Sequence, residues 1–578
     1  MSGKVTPQST PQYPGTDADQ ALQPSLAQFM RFSGLNAACG RENMAPGDLY
    51  YVENFLPVNK VAGQQGGPPS STLRSTFNAT AFPPALPGGD YLYWFVVQGR
   101  ILVAVATYPS TFKIYEVSNG TIVGTFDFSS STGNVLDMQA VQWNNTSLLV
   151  ITPTSYFIYL FTDVVGSGPT QTINTSVTGT SIAVYQQRVW IGNGLTIQFT
   201  APNTNNDFTT GDGAGAYLIN TADYQLTGMC ELNGFLYVLL PSGIQVVSNV
   251  QIVTTTTGGV TTSITTFNVY PISESIGCAY RNTIQVFNRI IVFMNWIGVY
   301  AINGGTVQKV SSRLDLIFSA NAFLQNPQQL VANFNYWFQY SAGLVTWRGT
   351  LYYAVNVASS FFSGLSGTQQ MNNGQVVANY EPFILLFDGS DWFIVRNYYT
   401  VTSLTGTKWV VGGVLQPGAP TGPINAHYLA SFPYNTSYVL TASDQTFLFE
   451  MFKSADTVMP KFIRTALTPG PQSNWLMQKQ SYRLFFGMTS YIIDTTTTST
   501  LYIDTDTTDY GPNSTWYISA STYKLAPFDG AVIPKPSFYN ADQSAWGRLY
   551  GLTLVTYLGD VEVMGMALQF KNSTYVGS

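Results

Sequence analysis

The sequence has little charge. Only 9% of its 578 residues are Asp, Glu, Lys or Arg, against roughly 25% in a typical soluble domain. The formal net charge is −6, and the 24 lysines and arginines are scattered without a run of even three. Proteins that read nucleic acids carry a basic footprint, because their affinity comes from neutralising phosphates. This distribution excludes a protein that grips DNA by charge, and the polar, nearly uncharged surface favours a particle component or an extracellular protein.

Cysteine and histidine are scarce. Cys39, Cys230 and Cys278 lie far apart and form no CxxC pair, so we expect three reduced, buried residues that act as small apolar side chains. The single histidine, His427, excludes a two-histidine metal site, and a structural role is more common than a catalytic one at the start of a predicted strand. No GxSxG, P-loop or HExxH motif occurs. The sequence therefore predicts no cofactor, no metal and no catalytic residue.

Long apolar runs are also absent. No window approaches about 18 consecutive apolar residues, so no segment is predicted to span a membrane. The N-terminus, MSGKVTPQSTPQYPGTDADQALQPS, lacks the apolar region of a secretory signal, so we expect a protein that is made in the cytoplasm without a signal peptide. We interpret residues 1–24 as a flexible arm and 25–90 as an N-terminal docking segment with a short helix at Ser25–Phe32.

What the sequence does contain is a repeated hairpin. Each unit has an apolar run of four to six residues, a tight turn and a second apolar-aromatic run. The first five units start 47, 40, 47 and 54 residues apart. Such spacing is typical of propeller blades, so residues 91–455 are predicted to form a β-propeller of six or seven blades. The units begin at Arg100, Ser147, Gln187, Gly234, Asn288, Gly349 (continuing at Phe383) and His427.

Beyond the propeller the strands become longer and alternate in polarity, as in the run from Arg548 to Tyr557. We therefore predict an all-β protein in which 456–578 form a separate C-terminal antiparallel β-sandwich. The DTDTTD segment, with Asp504, Asp506 and Asp509, has the DxD spacing of calcium loops but lacks their glycine and bidentate glutamate. It is interpreted as a solvated hairpin tip.

Two glycine-containing segments need an interpretation. Gly211-Asp-Gly-Ala-Gly215 resembles a phosphate-binding loop, but no helix pattern follows it, so a blade loop is favoured. The Thr-rich segment 254–263 is interpreted as a long hairpin tip that lines a surface which must not bind a polyanion, or alternatively as a mobile surface loop. The candidate channel or partner residues are Thr255, Thr256, Gly258, Gly259, Thr261 and Thr262.

Three segments carry a family resemblance over about residues 50 to 318. They are VENFLPVNK with GGPPSSTLRSTF, then NDFTTGDGAGAYLINTADYQLTGMCELNGFLYVLLPSGIQVVSN, and finally GVYAINGGTVQKVSSRLD. Together they resemble the tail nozzle and packaged-DNA-stabilisation (head-to-tail connector) proteins of short-tailed bacteriophages.

The resemblance implies a virion protein with a propeller and a sandwich. Such subunits self-associate into a ring, a hexamer in the relatives, below the portal and adaptor proteins. Double-stranded DNA would pass through the ring without sequence-specific contact. The family has no catalytic motif to carry over. An acidic, weakly charged chain suits this role, because phosphate contacts would slow a sliding duplex.

Two other function classes stay open at this stage. One is a receptor- or glycan-binding propeller on the surface of a particle, which would bind host polysaccharide as a monomer. The other is a propeller glycoside hydrolase, in which two carboxylates from different blades would meet at the scissile bond. Sugar release that is lost on single Asp or Glu substitutions would support the hydrolase.

Overall fold

The computed structural model describes part of the chain, and every structural statement below concerns that part. The described residues are 25–29, 31–45, 47–58, 72–81, 86, 91–107, 111–127, 138–318, 341–358, 369–370, 376–377, 382–395, 400–403, 406–409, 429–432, 439–443, 448–454, 461–469, 479–490, 499–506, 522–525, 537–542, 546–556 and 560–572. His427 and Asp509, two residues weighed above, lie outside this set.

Seven antiparallel groups of four strands, here called blades 1 to 7, account for most described residues between 91 and 454; six are separate sheets, and blade 6 is part of a larger one. Blade 1 consists of Tyr91–Val97, Arg100–Thr107, Thr111–Glu116 and Ile122–Asp127; blade 2 of Gln139–Trp143, Ser147–Ile151, Tyr156–Leu160 and Thr170–Asn174; blade 3 of Ser181–Tyr185, Arg188–Asn193, Thr196–Phe199 and Gly215–Leu218; blade 4 of Gly228–Leu232, Phe235–Leu239, Ile244–Thr257 and Val260–Ser273; blade 5 of Gln285–Phe287, Ile290–Asn295, Gly298–Asn303 and Thr306–Lys309; blade 6 of Ala342–Trp347, Thr350–Ala358, Pro382–Phe387 and Trp392–Val395; and blade 7 of Leu429–Phe432, Val439–Ser443, Leu448–Ser454 and Asn78–Ala81.

The blades form a closed ring with their first strands innermost. First strands lie side by side between blades 2 and 3, 3 and 4, 5 and 6, 6 and 7, and 7 and 1. Blades 4 and 5 share one apolar cluster. Blades 1 and 2 are joined by Gln142, whose side-chain amide donates to the Val96 carbonyl and accepts from the Val96 N–H. The predicted β-propeller is confirmed, and the described strands give it seven blades.

Burial explains why the middle strands dominate the sequence signal. Ser147–Ile151 and Ile290–Asn295 are buried along their whole length, because each blade is covered by a neighbour on both faces. Thr170–Asn174, an outer strand, is almost entirely exposed. The repeated apolar hairpin is thus the second and third strand of each of blades 1 to 5.

The ring is closed by a strand from early in the chain. Asn78–Ala81 pairs antiparallel with Leu448–Ser454 as the outer strand of blade 7. Three strands of that blade therefore come from the end of the propeller segment, while the fourth precedes blade 1. Hydrogen bonds between the two ends of the ring hold it shut.

Two larger sheets lie next to blade 6. The outer strand of blade 6 pairs in parallel with Leu49–Glu53, through Glu53 and Ile394, so its sheet continues to nine strands. The added strands are Leu49–Glu53, Lys461–Thr465, Tyr550–Thr556, Ser499–Thr505 and Thr522–Leu525. The other sheet holds Phe55–Pro57, Leu73–Ser75, Val561–Asn572, Lys479–Ser490, Ser537–Asp542, Ser25–Phe29 and Trp546–Gly547. Both sheets contribute to one apolar core, giving a sandwich-like arrangement.

The N-terminal segment differs from expectation in two respects. The predicted helix at Ser25–Phe32 is wrong: Ser25–Phe29 is a strand paired with Phe570–Met566. A segment this short is a marginal helix, and the neighbouring long strand supplies its hydrogen bonds. The C-terminal strands also do not form a sheet by themselves, because strands from 25–90 pair with them. The bounds predicted for the domains stay predictions.

The remaining elements are short. Two-stranded sheets pair Gln369–Gln370 with Val376–Val377 and Thr400–Ser403 with Gly406–Trp409. The described chain has one α-helix, Asp315–Phe318, and 3-10 helices at Arg41–Asn43, Arg281–Thr283 and Ser312–Leu314.

Arg313 connects three parts of the fold. It follows blade 5, and its guanidinium donates to the Ser33 carbonyl at 3.1 Å, to Asp48 at 3.1 Å and to Asp391 at 3.2 Å. Ser33 and Asp48 belong to the N-terminal segment, and Asp391 lies in the last turn of blade 6. One side chain therefore joins two blades to the sandwich-like part.

Candidate functional site

The predicted channel or partner residues lie together at the tip of one hairpin. This hairpin consists of the third and fourth strands of blade 4, Ile244–Thr257 and Val260–Ser273, and is called the blade 4 hairpin below. Each of its strands has 14 residues, whereas the third and fourth strands of the other blades have four to seven. Only Ile244–Val247 pair with the second strand of the blade, so the distal part extends beyond the propeller body. At the tip, Thr255, Thr256, Gly258, Gly259 and Thr261 are exposed, and Thr262 is partly buried.

Two glycines form the turn. Gly258 and Gly259 have φ of +64° and +83°, and Thr257 pairs with Val260 on either side of them. Positive φ at both central residues defines a type I′ turn, whose twist matches that of the two strands and which favours glycine or asparagine. A Cβ added at either glycine would meet no atom within 4 Å. Backbone conformation, and not crowding, therefore explains this Gly-Gly pair.

The hairpin carries no charge. From Ile244 to Ser273 the sequence contains no Asp, Glu, Lys or Arg. Its exposed apolar side chains include Ile252, Val253 and Ile264, at 46%, 46% and 54% exposure. Thr256 and Thr261 face each other across the strands with their hydroxyl oxygens 3.3 Å apart. The projecting ribbon is thus polar through hydroxyl groups, with an apolar component and no ionic one.

A bulge bends the ribbon at its base. The pairing shifts register between Ser248 and Gln251, and Asn249, with φ of +52°, lies within this shift. Such a bulge bends a strand and increases its twist. The distal residues therefore point in a direction different from that of the blade 4 sheet.

Aromatic packing fixes the root of the hairpin against blade 3. The ring of Phe267 lies 5.2 Å from that of Tyr217, 5.7 Å from that of Phe199 and 5.9 Å from that of Trp190. Edge-to-face and tilted pairs at such distances are favourable. The lower half of the hairpin is thus part of the interface between blades.

Arg188 adds polar contacts at the same place. Its guanidinium donates to the carbonyls of Thr200 and Gly213, both at 2.7 Å, and to the Thr265 hydroxyl at 3.0 Å. The side chain is 2% exposed, and this burial lowers the pKa of Arg188 from its ordinary value. Arg188 therefore connects two strands of blade 3 to Val260–Ser273, the fourth strand of blade 4.

The glycine-rich segment Gly211–Gly215, which we predicted to be a blade loop, makes the third contact between blade 3 and the blade 4 hairpin. It connects the third and fourth strands of blade 3, and Gly215 begins a strand, so the prediction is confirmed. The Ser263 N–H donates to the Gly211 carbonyl at 3.0 Å. This leaves residues 254–262 as the free tip. Sequence patterns pointed to the tip but gave no sign of Arg188 or Phe267, whose role depends on how this loop folds.

Asp504, the first aspartate of the DTDTTD segment, is not at a solvated tip as we predicted. Asp504 is buried within the strand Ser499–Thr505. It accepts hydrogen bonds from Arg41 and from the Thr553 hydroxyl, both at 2.6 Å. Burial alone raises the pKa of the Asp504 carboxyl, but Arg41 and Arg464 outweigh it and hold the value below its usual range. Asp504 thus joins the N-terminal segment to the C-terminal strands.

Other titratable groups are also used structurally. Cys39, Cys230 and Cys278 are free. Cys278 is buried as expected, and this burial raises the pKa of its thiol to about 12. Cys39 and Cys230 are only partly buried.

Among the described residues, no three His, Cys, Asp or Glu side chains are grouped in a way that could hold a metal ion. No described helix is long and apolar enough to span a membrane.

Comparison with protein-family models and with curated proteins finds no match. Among solved structures, the chain is similar to Raptor of Chaetomium thermophilum at 9% identity and a TM-score of 0.35, over 66% of this chain and 30% of that one. It is similar to BamB from Moraxella catarrhalis at 12% identity and a TM-score of 0.30, over 62% and 83% of the two chains. A chain of the Mitotic Checkpoint Complex matches at 10% identity and a TM-score of 0.32, over 69% and 98%. Similarities this low carry no argument about function, and the propeller rests on its strand pairing.

Proposed function

We propose that this protein is a structural subunit of a short phage tail, which acts by assembling into a ring and not by catalysis. The ring would continue the DNA channel below the portal and adaptor, retain the genome and let it pass at ejection. The observation that carries the proposal is the blade 4 hairpin. It projects from the propeller, and its residues Ile244–Ser273 include no charged side chain. The sequence resemblance to nozzle proteins supports the same role.

The physical argument concerns friction on a moving polyanion. Lysine and arginine side chains at a channel wall would bind phosphates and release counterions, which slows sliding. A dense acidic wall would repel the duplex and raise the cost of holding it in place. A wall of threonine hydroxyls and glycine backbone does neither. The tip residues 254–262 have this chemistry.

Imaging tests the ring. We expect electron micrographs of the purified full-length chain, alone and with the neighbouring virion proteins, to contain rings with an axial hole as wide as a DNA duplex. A chain that stays monomeric in the presence of its adaptor would contradict the proposal. Fluorescence anisotropy with duplex DNA supplies a second readout, in which the free chain is expected not to bind. A Thr256→Lys variant is expected to introduce salt-dependent binding.

One observation favours the alternative of a receptor- or glycan-binding propeller. Tyr224 and Trp296 are 76% and 50% exposed. Tyr224 follows the last strand of blade 3 and Trp296 lies between the second and third strands of blade 5, so alternation of strand direction places both on the face opposite the hairpin tip. Exposed aromatic rings are suitable for stacking on sugars. Polysaccharide binding by the monomer, weakened by Trp296→Ala and Tyr224→Ala, would support this function.

A further inference from the structure

Ile244–Thr257, the third strand of blade 4, has an open edge. Its residues Ile244–Val247 pair with the second strand of the blade, but beyond Val247 no described strand lies on that side. A long strand edge with unpaired N–H and C=O groups is a template for another strand, and proteins usually protect such edges with charged residues, proline, bulges or short length. The bulge in this strand lies at its base, between Ser248 and Gln251, so Ile252–Thr257 are beyond it. Ser248–Thr257 contain no charged residue and no proline.

The pairing register identifies which residues present these groups. Thr257 and Val260 flank the two-residue turn and so form a hydrogen-bonded pair, and pairs then alternate along an antiparallel ribbon. Thr256, Thr254 and Ile252 consequently direct their backbone groups away from the fourth strand. Ser263, the partner of Thr254, agrees with this alternation, because its N–H donates outward to Gly211. The outer edge of the fourth strand is thus covered by blade 3, whereas the outer edge of the third strand is open.

We propose that two copies of this chain associate through this edge. The third strand of blade 4 in one copy would pair antiparallel with the same strand of the other copy, about a two-fold axis at Thr254. The three outward residues are spaced evenly, so Thr254 meets Thr254 of the second copy, and Ile252 meets Thr256 of the second copy. An identical strand in the opposite direction therefore satisfies every outward group of this stretch, and the contact is isologous.

Charge favours a second copy as the occupant. Each chain carries a net charge of −6, so two copies repel each other over most of their surfaces. The uncharged ribbon is where two acidic chains can approach without placing like charges together. The apolar side chains of Ile252 and Val253, about half exposed in the single chain, would lose water on pairing.

This association is separate from the proposed ring. A two-fold contact closes on two copies and cannot generate a ring of six. The dimer is therefore a property of the free chain, and either proposal can fail while the other stands.

Sedimentation velocity of the full-length protein over a range of concentrations tests the proposal. We expect a monomer–dimer equilibrium in the wild type and a dissociation constant raised about tenfold or more by Thr254→Lys, because two lysines then face each other about 5.5 Å apart between Cα atoms. Thr261→Lys is the matched control on the fourth strand. Its two lysines would be separated by three strand spacings across the sheet, roughly 14 Å, and by four residues along it, beyond the usual screening length, so the constant should change less than about twofold.

Oxidative cross-linking gives a second, positional readout. Thr254→Cys is expected to yield a disulfide-linked dimer, since a separation of about 5.5 Å lies within the range that disulfides span. Thr261→Cys and the wild type, with its three native cysteines, are expected to yield none. A wild type that is monomeric at every concentration overturns the proposal. A dissociation constant that is unchanged in Thr254→Lys overturns the dimer, whereas the presence or absence of rings in that variant tests only the tail subunit.

Discussion

Arg188 is a buried cation that donates hydrogen bonds to neutral groups: two carbonyl oxygens and one hydroxyl. Within the described residues no carboxylate forms an ion pair with it. A charged donor pays a desolvation cost on burial, which hydrogen bonds to several acceptors offset. Here those acceptors belong to blade 3 and to the hairpin, so the arginine fixes the direction of the hairpin as well as stabilising the fold.

Arg188→Met is therefore expected to lower the free energy of unfolding by roughly 2–4 kcal/mol, because the Thr200 carbonyl loses the guanidinium donor and the Gly213 carbonyl keeps only the Thr265 hydroxyl. Amides of residues 260–268 should also exchange faster with solvent than in the wild type. Urea denaturation and hydrogen–deuterium exchange measure the two effects. Arg289→Met, at an exposed turn of blade 5, is the control and should change stability by less than about 0.5 kcal/mol.

Lys461 makes stability depend on pH. Burial lowers the pKa of its ammonium group to about 7 from an ordinary value of 10.5, although Asp560 opposes part of the change. Between these two values the unfolded chain binds a proton that the folded chain lacks, so this group makes the free energy of unfolding rise with pH. Its destabilising effect is fully present below pH 7 and is lost as the pH approaches 10.5.

Lys461→Met should consequently flatten the rise in stability between pH 7 and 10.5. Denaturant titrations at several pH values in this window measure it. Lys309→Met, on the outer strand of blade 5, is the control for the loss of a lysine side chain. An identical slope in Lys461→Met and the wild type would show that another group causes the pH dependence.

At the scale of elements, the turn of the blade 4 hairpin depends on backbone conformation. Gly258→Val places a β-branched residue at φ of +64°, which costs about 1–2 kcal/mol, whereas Gly258→Asn keeps a residue that type I′ turns accept. We expect faster amide exchange across residues 251–266 in the valine variant and little change in the asparagine variant. Equal protection in both would mean that the root contacts alone hold the ribbon.

The closing strand of blade 7 is a second element with a specific consequence. Thr80 pairs with Glu450, so Thr80→Pro disrupts the pairing that joins the two ends of the ring and should cost about 1–3 kcal/mol. Gln308→Pro, in the outer strand of blade 5, is the matched control because that strand closes nothing. Exchange of amides in Tyr91–Val97, the neighbouring inner strand, should increase in Thr80→Pro only.

For the molecule as a whole, the sequence predicted what is locally encoded. The second and third strands of the blades are covered on both faces, so they appear as apolar pairs with short turns between them. The seven predicted units, from Arg100 to His427, begin at or near strands of the seven blades. Asn78–Ala81 could not be predicted, because the letters NATA have no distinctive pattern and their role comes from a partner about 370 residues away.

In the candidate site, too, locally encoded features were predictable and contacts between distant residues were not. A charge-free Thr- and Gly-rich segment is visible in the sequence, so the tip of the hairpin was predictable. Its anchoring by Arg188 and Phe267 was not, since both depend on contacts between blades. Asp504 was mispredicted for a related reason: its partner Arg41 is 463 residues distant, and no short-range pattern distinguishes a buried aspartate from one at a solvated tip.

The origin of the fourth strand of blade 7 determines when the protein can finish folding. During synthesis Asn78–Ala81 leaves the ribosome early, whereas its partner, Leu448–Ser454, appears more than 360 residues later. Blades 1 to 5 pair locally and can form as they emerge, but the nascent chain meanwhile carries unpaired strand edges at both ends of an open arc. Such intermediates aggregate readily. We therefore expect the yield of folded protein to depend on the rate of translation and on chaperones that cover those edges.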